Sequence, residues 1–234
     1  MERIKTGIIG FDKLLEGGIP KGYCVLLSGS PGTGKTIFGL QFLLNGWLSY
    51  KEPGLFITFE ETASNLHAQA AQFGRDLKML SKKKEVVIRS MPEEERLNEN
   101  IIFRMIDEAI KEYNVKRIVI DSLDTYANNI ISYEEDIPLS DHSWQKRVIY
   151  RFIKRLQRYP QLTKILIAET DEGTAQLSKD GVSEFLADGV IKIEYMTMGG
   201  EYSRQLKVRK MRSTKNNPDL FPLEISTKGI IVHS

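Results

Sequence analysis

The stretch Gly29-Ser30-Pro31-Gly32-Thr33-Gly34-Lys35-Thr36 constrains this chain more than any other feature. It fills the pattern G-x-x-x-x-G-K-[ST], with a short apolar run before it and an amphipathic helical pattern after it. The spacing answers a physical demand. Glycines let backbone N–H groups wrap an anion with no Cβ in the way, and the N-terminus of the following helix adds positive potential. Gly29, Ser30, Pro31, Gly32, Thr33 and Gly34 therefore form the expected phosphate cradle. Lys35 neutralises β- and γ-phosphate charge, and the Thr36 hydroxyl ligates Mg2+.

Apolar runs recur at 23–27, 55–59, 86–88, 117–120 and 164–168. They are continuous rather than alternating, as in parallel strands buried on both faces. Helical patterns over 36–48, 64–73, 98–113 and 141–159 supply the crossovers; Gly74 and Pro160 close the second and fourth. In the third, Ile102, Met105, Ile106, Ala109 and Ile110 recur at three- and four-residue spacing, which buries one face. Beyond about residue 189 the pattern changes to runs at 190–195, 204–211, 223–225 and 230–232, separated by Gly-Gly, Asn-Asn-Pro and Lys-Gly turns. The expected fold class is α/β: a mostly parallel sheet flanked by helices, with C-terminal antiparallel strands. No linker, repeat or composition break divides residues 1–234, so one domain is expected.

Composition removes several classes. With 41% apolar and 27% charged residues and a net charge of +2, the chain is ordinary for a globular protein and has no whole-surface attraction to nucleic acid or anionic lipid. The longest uncharged apolar stretch, 22–28, falls far short of the roughly 20 residues a membrane helix needs. The N-terminal Met1-Glu2-Arg3-Ile4-Lys5 offers no apolar signal region, so a soluble, cytoplasmic chain is expected. One cysteine and three histidines rule out a disulfide scaffold and a structural zinc site. Cys24 reads as core, His67 as surface, Trp47 and Trp144 as helix packing, and Asn128-Asn129 and Asn216-Asn217 as turns.

Two further elements belong with the phosphate loop. The apolar run 117–120 ends in Asp121, which puts a carboxylate at the carboxyl edge of the sheet as a partner for Mg2+ or its water. The run 55–59 ends in Glu60 and Glu61, where a carboxylate can polarise the water attacking a γ-phosphate. Adjacent side chains of an extended segment point to opposite sides, so one of the pair faces the nucleotide. Thr170 and Asp171 end another buried run and carry no assigned role.

With these residues in place, the chain resembles the KaiC branch of the RecA-like ATPases over nearly its whole length. The resemblance is carried by Thr6-Gly7-Ile8-Ile9-Gly10-Phe11-Asp12 with Leu14-Leu15-Glu16-Gly17-Gly18-Ile19-Pro20, by Phe185-Leu186-Ala187-Asp188-Gly189-Val190-Ile191, and by Lys210-Met211-Arg212-Ser213. It implies a RecA-like P-loop NTPase core that binds ATP between neighbouring subunits of a ring, usually a hexamer. It implies Glu60 and Glu61 as the catalytic glutamate pair, and Lys210 and Arg212 as cations that reach a neighbour's γ-phosphate. Alternation along a strand agrees, since Leu206 and Val208 continue into Lys210 and Arg212 on one face. The chain departs from two-domain members of the family and lacks their Ser-Thr phosphorylation site, so no circadian role is implied.

Residues 204–215 hold Arg204, Lys207, Arg209, Lys210, Arg212 and Lys215 and no acid. An ATP-contacting interface, a nucleic-acid groove and a solvated edge strand all account for them. The loop after Asp121 carries Asp124, Glu134, Glu135 and Asp136. The loop after Ala168 carries Glu169, Asp171, Glu172, Asp180 and Glu184 against Lys179. If these line a channel they repel phosphates, which disfavours single-strand binding. The expectation is an Mg2+-dependent, slow ATPase that acts as a homo-oligomeric nucleotide switch for a protein partner. The alternatives are an ATP-loaded scaffold with negligible turnover, a recombination mediator that binds single-stranded DNA and, less supported, a small-molecule kinase.

Overall fold

The computed structural model describes residues 1–91, 98–130, 142–196 and 203–234. Its strands are β1 (Arg3–Ile4), β2 (Ile19–Pro20), β3 (Cys24–Gly29), β4 (Gly54–Thr58), β5 (Val86–Ser90), β6 (Arg117–Asp121), β7 (Thr163–Glu169), β8 (Gly189–Tyr195), β9 (Arg204–Met211), β10 (Phe221–Ser226) and β11 (Gly229–Val232). The helices are α1 (Lys35–Tyr50), α2 (Ala63–Gln72), α3 (Leu77–Lys82), α4 (Glu99–Tyr113), α5 (Leu123–Asn129), α6 (His142–Leu156) and α7 (Ser183–Leu186). A nine-stranded sheet runs in the order β11-β10-β9-β8-β3-β7-β6-β4-β5.

The continuous apolar runs are the parallel strands, and the reason is burial on both faces: every residue of β3, β4 and β6 is buried. β3 lies between β7 and β8, parallel to both, and β4 lies between β5 and β6. On one face α1, α2 and α3 pack through Phe38, Phe42, Leu66 and Leu80. On the other, α4, α5 and α6 pack through Phe103, Tyr126 and Phe152, the Phe152 ring touching the other two. β9, β10 and β11 extend the sheet antiparallel, as the turn chemistry predicts.

The entry segment owes its pattern to one carboxylate. Asp12 accepts the N–H groups of Thr6 (2.9 Å) and Gly7 (3.0 Å) and the Thr6 hydroxyl (2.7 Å). The Asn45 side chain on α1 ties the Gly7 carbonyl at 2.8 Å, which locks the segment to the helix that follows the phosphate loop.

Several expectations need correction. Asn128 and Asn129 close α5 rather than forming a turn, because the Ser122 hydroxyl caps that helix by accepting the Thr125 N–H. His67 is half-buried on α2 rather than at the surface. Cys24 and Trp144 are core and Trp47 packs against it. Burial pushes the Cys24 thiol up to about 12, which leaves it a packing residue. Among the described residues no helix is long and apolar enough to cross a membrane.

Arg117 is 1% exposed inside β6. Its Nε donates to Glu52 at 2.7 Å, its Nη1 donates to the Phe42 carbonyl at 2.9 Å, and its plane covers the Phe42 ring. Gly46 makes room for it, since a Cβ there would meet Arg117 Cδ at 2.6 Å. Glu52→Ala strands this buried cation. A loss of about 3 kcal/mol is expected in urea unfolding; a loss below about 1 kcal/mol would show that the aromatic contacts already hold the guanidinium.

Candidate active site

The phosphate loop leaves the carboxyl end of β3, where two close approaches demand glycine. A Cβ on Gly29 would stand 2.2 Å from the Ile193 carbonyl oxygen of β8, and Gly34, the N-cap of α1, has φ 103°. No side chain caps α1, so its first-turn N–H groups are left for an anion. Thr33 closes the loop on itself through the Ser30 carbonyl at 2.8 Å, and both residues are buried, while Pro31 and Gly32 are exposed. Lys35 is 8% exposed, with Nζ donating to the carbonyls of Gly29 (2.9 Å) and Ser30 (3.0 Å). Burial pushes its ammonium below the ordinary lysine range, and the carboxylates of Glu169, Asp121, Glu60 and Asp124 draw it back. A desolvated cation held by neutral carbonyls at an uncapped helix start matches a polyphosphate.

Asp121 ends β6 opposite Thr58 of β4. It is 3% exposed and accepts the Thr36 hydroxyl at 2.7 Å. Burial pushes its carboxyl up to about 7; the Thr36 hydrogen bond and Lys35 oppose this, whereas Glu60 and Glu61 reinforce it. A hydroxyl and one carboxylate are hard oxygen donors that suit Mg2+, which takes few protein ligands and completes its shell with phosphate and water. Among the described residues no three His, Cys, Asp or Glu side chains cluster as a metal cage.

The Thr58 hydroxyl ends β4 by accepting the N–H groups of Glu60 (3.2 Å) and Glu61 (2.9 Å), and this turn aims the two carboxylates apart. Glu60 Oε1 accepts the hydroxyls of Ser122 and Thr125, the latter at 2.6 Å, directly beside Asp121. Glu61 faces α2, where the Gln69 amide donates to its two oxygens at 2.9 and 2.7 Å. The sequence did not point to Ser122, Thr125 or Gln69 as partners; a helix-capping S-x-x-T after Asp121 was the available sign for the first two.

Lys210 and Arg212 lie at the opposite edge of the sheet. β9 runs antiparallel to β8, so Arg204 pairs with Tyr195 near the phosphate loop, while Met211 pairs with Gly189 beside the start of β3. The single apolar face ending in both cations is not what forms. A bulge in β9 at Arg209, facing the step from Val190 to Ile191, sets Lys210 opposite Val190, and Met211 rather than Lys210 continues the buried face of Leu206 and Val208. Lys210 Nζ donates to the carbonyls of Glu184 (3.1 Å), Phe185 (3.4 Å) and Ala187 (2.7 Å), and Arg212 Nη1 donates to Asp188 at 3.0 Å.

The basic strand is interior, paired with β8 and β10, so the edge-strand reading does not hold. Its first residue joins the site unexpectedly: Arg204 donates to the Gly32 carbonyl at 3.2 Å and covers the Tyr195 ring. Most acids of the loop after Ala168, and Asp124, have partners within the fold. Asp124 accepts the Glu169 N–H, Glu169 pairs with Lys179, and Asp180 accepts the Val182 and Ser183 N–H groups. Glu184 takes the Ser178 hydroxyl, which leaves Asp171 and Glu172 exposed. Glu134, Glu135 and Asp136 lie outside the described residues. Thr170 donates its N–H to the Gly29 carbonyl at 3.2 Å beside the phosphate loop.

A family model described as "ATPase: KaiC" matches residues 4–234. A UPF0273 protein of Pyrococcus horikoshii is 34% identical over 245 residues, covering 99% of this chain and 94% of that protein. The circadian clock oscillator protein KaiC of Parathermosynechococcus lividus is 32% identical over 233 residues, covering 97% of this chain and 41% of that protein. This chain thus spans less than half the length of such KaiC relatives. The crystal structure of a KaiC-like protein from Pyrococcus horikoshii OT3 superposes with a TM-score of 0.85 at 35% identity, covering 100% of this chain and 99% of that one.

Proposed function

The chain belongs to the KaiC family of ATPases and is an ATP-binding P-loop protein of RecA-like fold, and from that premise we propose that it hydrolyses ATP with Mg2+ at the interfaces of a homo-oligomeric ring, where nucleotide state sets the surface offered to a protein partner. The observation that carries this reading is the joint placement of Lys35, Thr36, Asp121 and Glu60 at one edge of the sheet, with Arg212 at the other. One chain cannot bring both edges to one phosphate, whereas two copies arranged head to tail can.

The first-turn N–H groups of α1 and the Lys35 ammonium bind the β- and γ-phosphates. Thr36 and Asp121 would hold Mg2+, which when bound offsets phosphate charge. Glu60 takes the proton of the attacking water, and the Ser122 and Thr125 hydroxyls hold its carboxylate so that one oxygen stays in place. Arg212 of a neighbouring copy, with Lys210 beside it, supplies positive charge in trans as the transition state forms.

The reading is tested by the rate of hydrolysis per chain against protein concentration, with mass in solution measured by light scattering with and without ATP and Mg2+. Specific activity is expected to rise with assembly and to vanish on dilution. A rate per chain that stays constant down to the monomer would remove the interface mechanism. Binding without turnover at any concentration would identify a scaffold.

A further inference from the structure

The stretch from Phe185 to Ile191 has no part in the phosphate site, yet Asp188 within it is tied more tightly than a loop residue needs. Its N–H donates to the Cys24 carbonyl at 2.7 Å, and its Oδ2 accepts the Cys24 N–H at 3.0 Å. Its carbonyl accepts the Arg212 N–H at 2.9 Å, and its Oδ1 accepts Arg212 Nη1 at 3.0 Å. The carboxylate is therefore fixed by the first residue of β3 and in turn holds the guanidinium of Arg212, while the Asp188 carbonyl holds the Arg212 backbone N–H. Asp188 is mostly covered, with 19% of its side chain exposed, whereas 51% of the Arg212 side chain is open.

The two cations are held differently. Lys210 has three N–H donors and meets three carbonyls at the end of α7. Arg212 spends one of its five donors on Asp188 and keeps a fork for a second anion. Burial pushes the ammonium groups of Lys164 and Lys210 below the ordinary lysine range, and Asp188 draws both back up.

We propose that Asp188 is the positioning residue for Arg212, holding one edge of the guanidinium so that the other is presented, already oriented, to the phosphate bound by the neighbouring copy. This rests on the reading that Arg212 acts in trans. An arginine left free on the surface must be ordered each time the transition state forms, and prior ordering removes that cost from the reaction.

The test is a double-mutant cycle on the full chain with Asp188→Asn, Arg212→Ala and their combination. Asparagine can keep its oxygen on the Cys24 N–H and turn its NH2 toward Arg212, so the fold is retained while the pairing is lost. For Asp188→Asn, kcat is expected to fall about tenfold. KM for ATP, assembled mass and thermal midpoint are expected to stay unchanged. The double variant is expected to be no slower than Arg212→Ala, and Asp188→Glu to recover part of the rate. A wild-type kcat in Asp188→Asn beside an inactive Arg212→Ala would overturn the proposal, as would losses that multiply in the double variant. A fall in kcat matched by a lower thermal midpoint, with normal turnover per folded chain, would reduce Asp188 to a structural part. Wild-type turnover in Arg212→Ala is a separate outcome: it removes the trans mechanism itself and the proposal with it.

Discussion

Glu60→Gln is expected to bind Mg2+ and ATP as the wild type does and to hydrolyse ATP about a thousandfold more slowly. The amide is isosteric, so the Ser122 and Thr125 hydroxyls still find an oxygen at the same place, and only the capacity to take a proton is lost. Glu61→Gln is expected to cost less than about tenfold, because its carboxylate is already occupied by the Gln69 amide on the side of α2. Single-turnover hydrolysis beside equilibrium binding separates the two effects. Full activity in Glu60→Gln with a collapse in Glu61→Gln would reverse the assignment.

Lys35→Ala is expected to weaken ATP binding by about a thousandfold, since two charge-assisted contacts of about 2 kcal/mol each disappear from a site built around that cation. The ammonium also bridges the carbonyls of Gly29 and Ser30, so the loop itself loses two hydrogen bonds. The thermal midpoint measured with the calorimetric affinity distinguishes a loop that has lost its ligand from a chain that has lost its fold. An affinity within about tenfold of wild type would show that the helix N-terminus and the loop N–H groups carry phosphate binding unaided.

The fold was legible where burial on two faces leaves continuous apolar runs. β3, β4, β6 and β7 lie within two residues of their expected positions, and α1 and α4 within two of theirs. Short elements set by local side-chain hydrogen bonds were not legible: the Ser122 hydroxyl caps α5, Asp180 holds the turn that leads into α7, and neither helix shows a long periodicity. The phosphate cradle was legible because its glycines meet fixed backbone demands, such as Gly29 against Ile193. The meeting of Thr36 with Asp121, 85 residues apart, followed from Asp121 ending β6 and Thr36 opening α1 just after the loop that leaves β3, both at the carboxyl edge of the sheet. What alternation could not convey is the bulge in β9. One extra residue there moves Met211 onto the buried face and takes Lys210 off it, and nothing in the local sequence marks that shift. Composition also counts carboxylates without conveying that Asp124, Asp180 and Glu184 accept nearby N–H and hydroxyl groups, a local detail set by the turns that hold them.

If, as proposed, a working site takes its phosphate loop from one copy and its arginine from the next, mixing Lys35→Ala chains with Arg212→Ala chains restores it. Each variant is expected to be inactive by itself. In a randomly assembled equal mixture about one interface in four pairs an intact phosphate loop with an intact arginine, so hydrolysis is expected to return to about a quarter of the wild-type rate. A mixture as inactive as its components, under conditions where both chains co-assemble by light scattering, would contradict the account and leave each chain with a self-contained site.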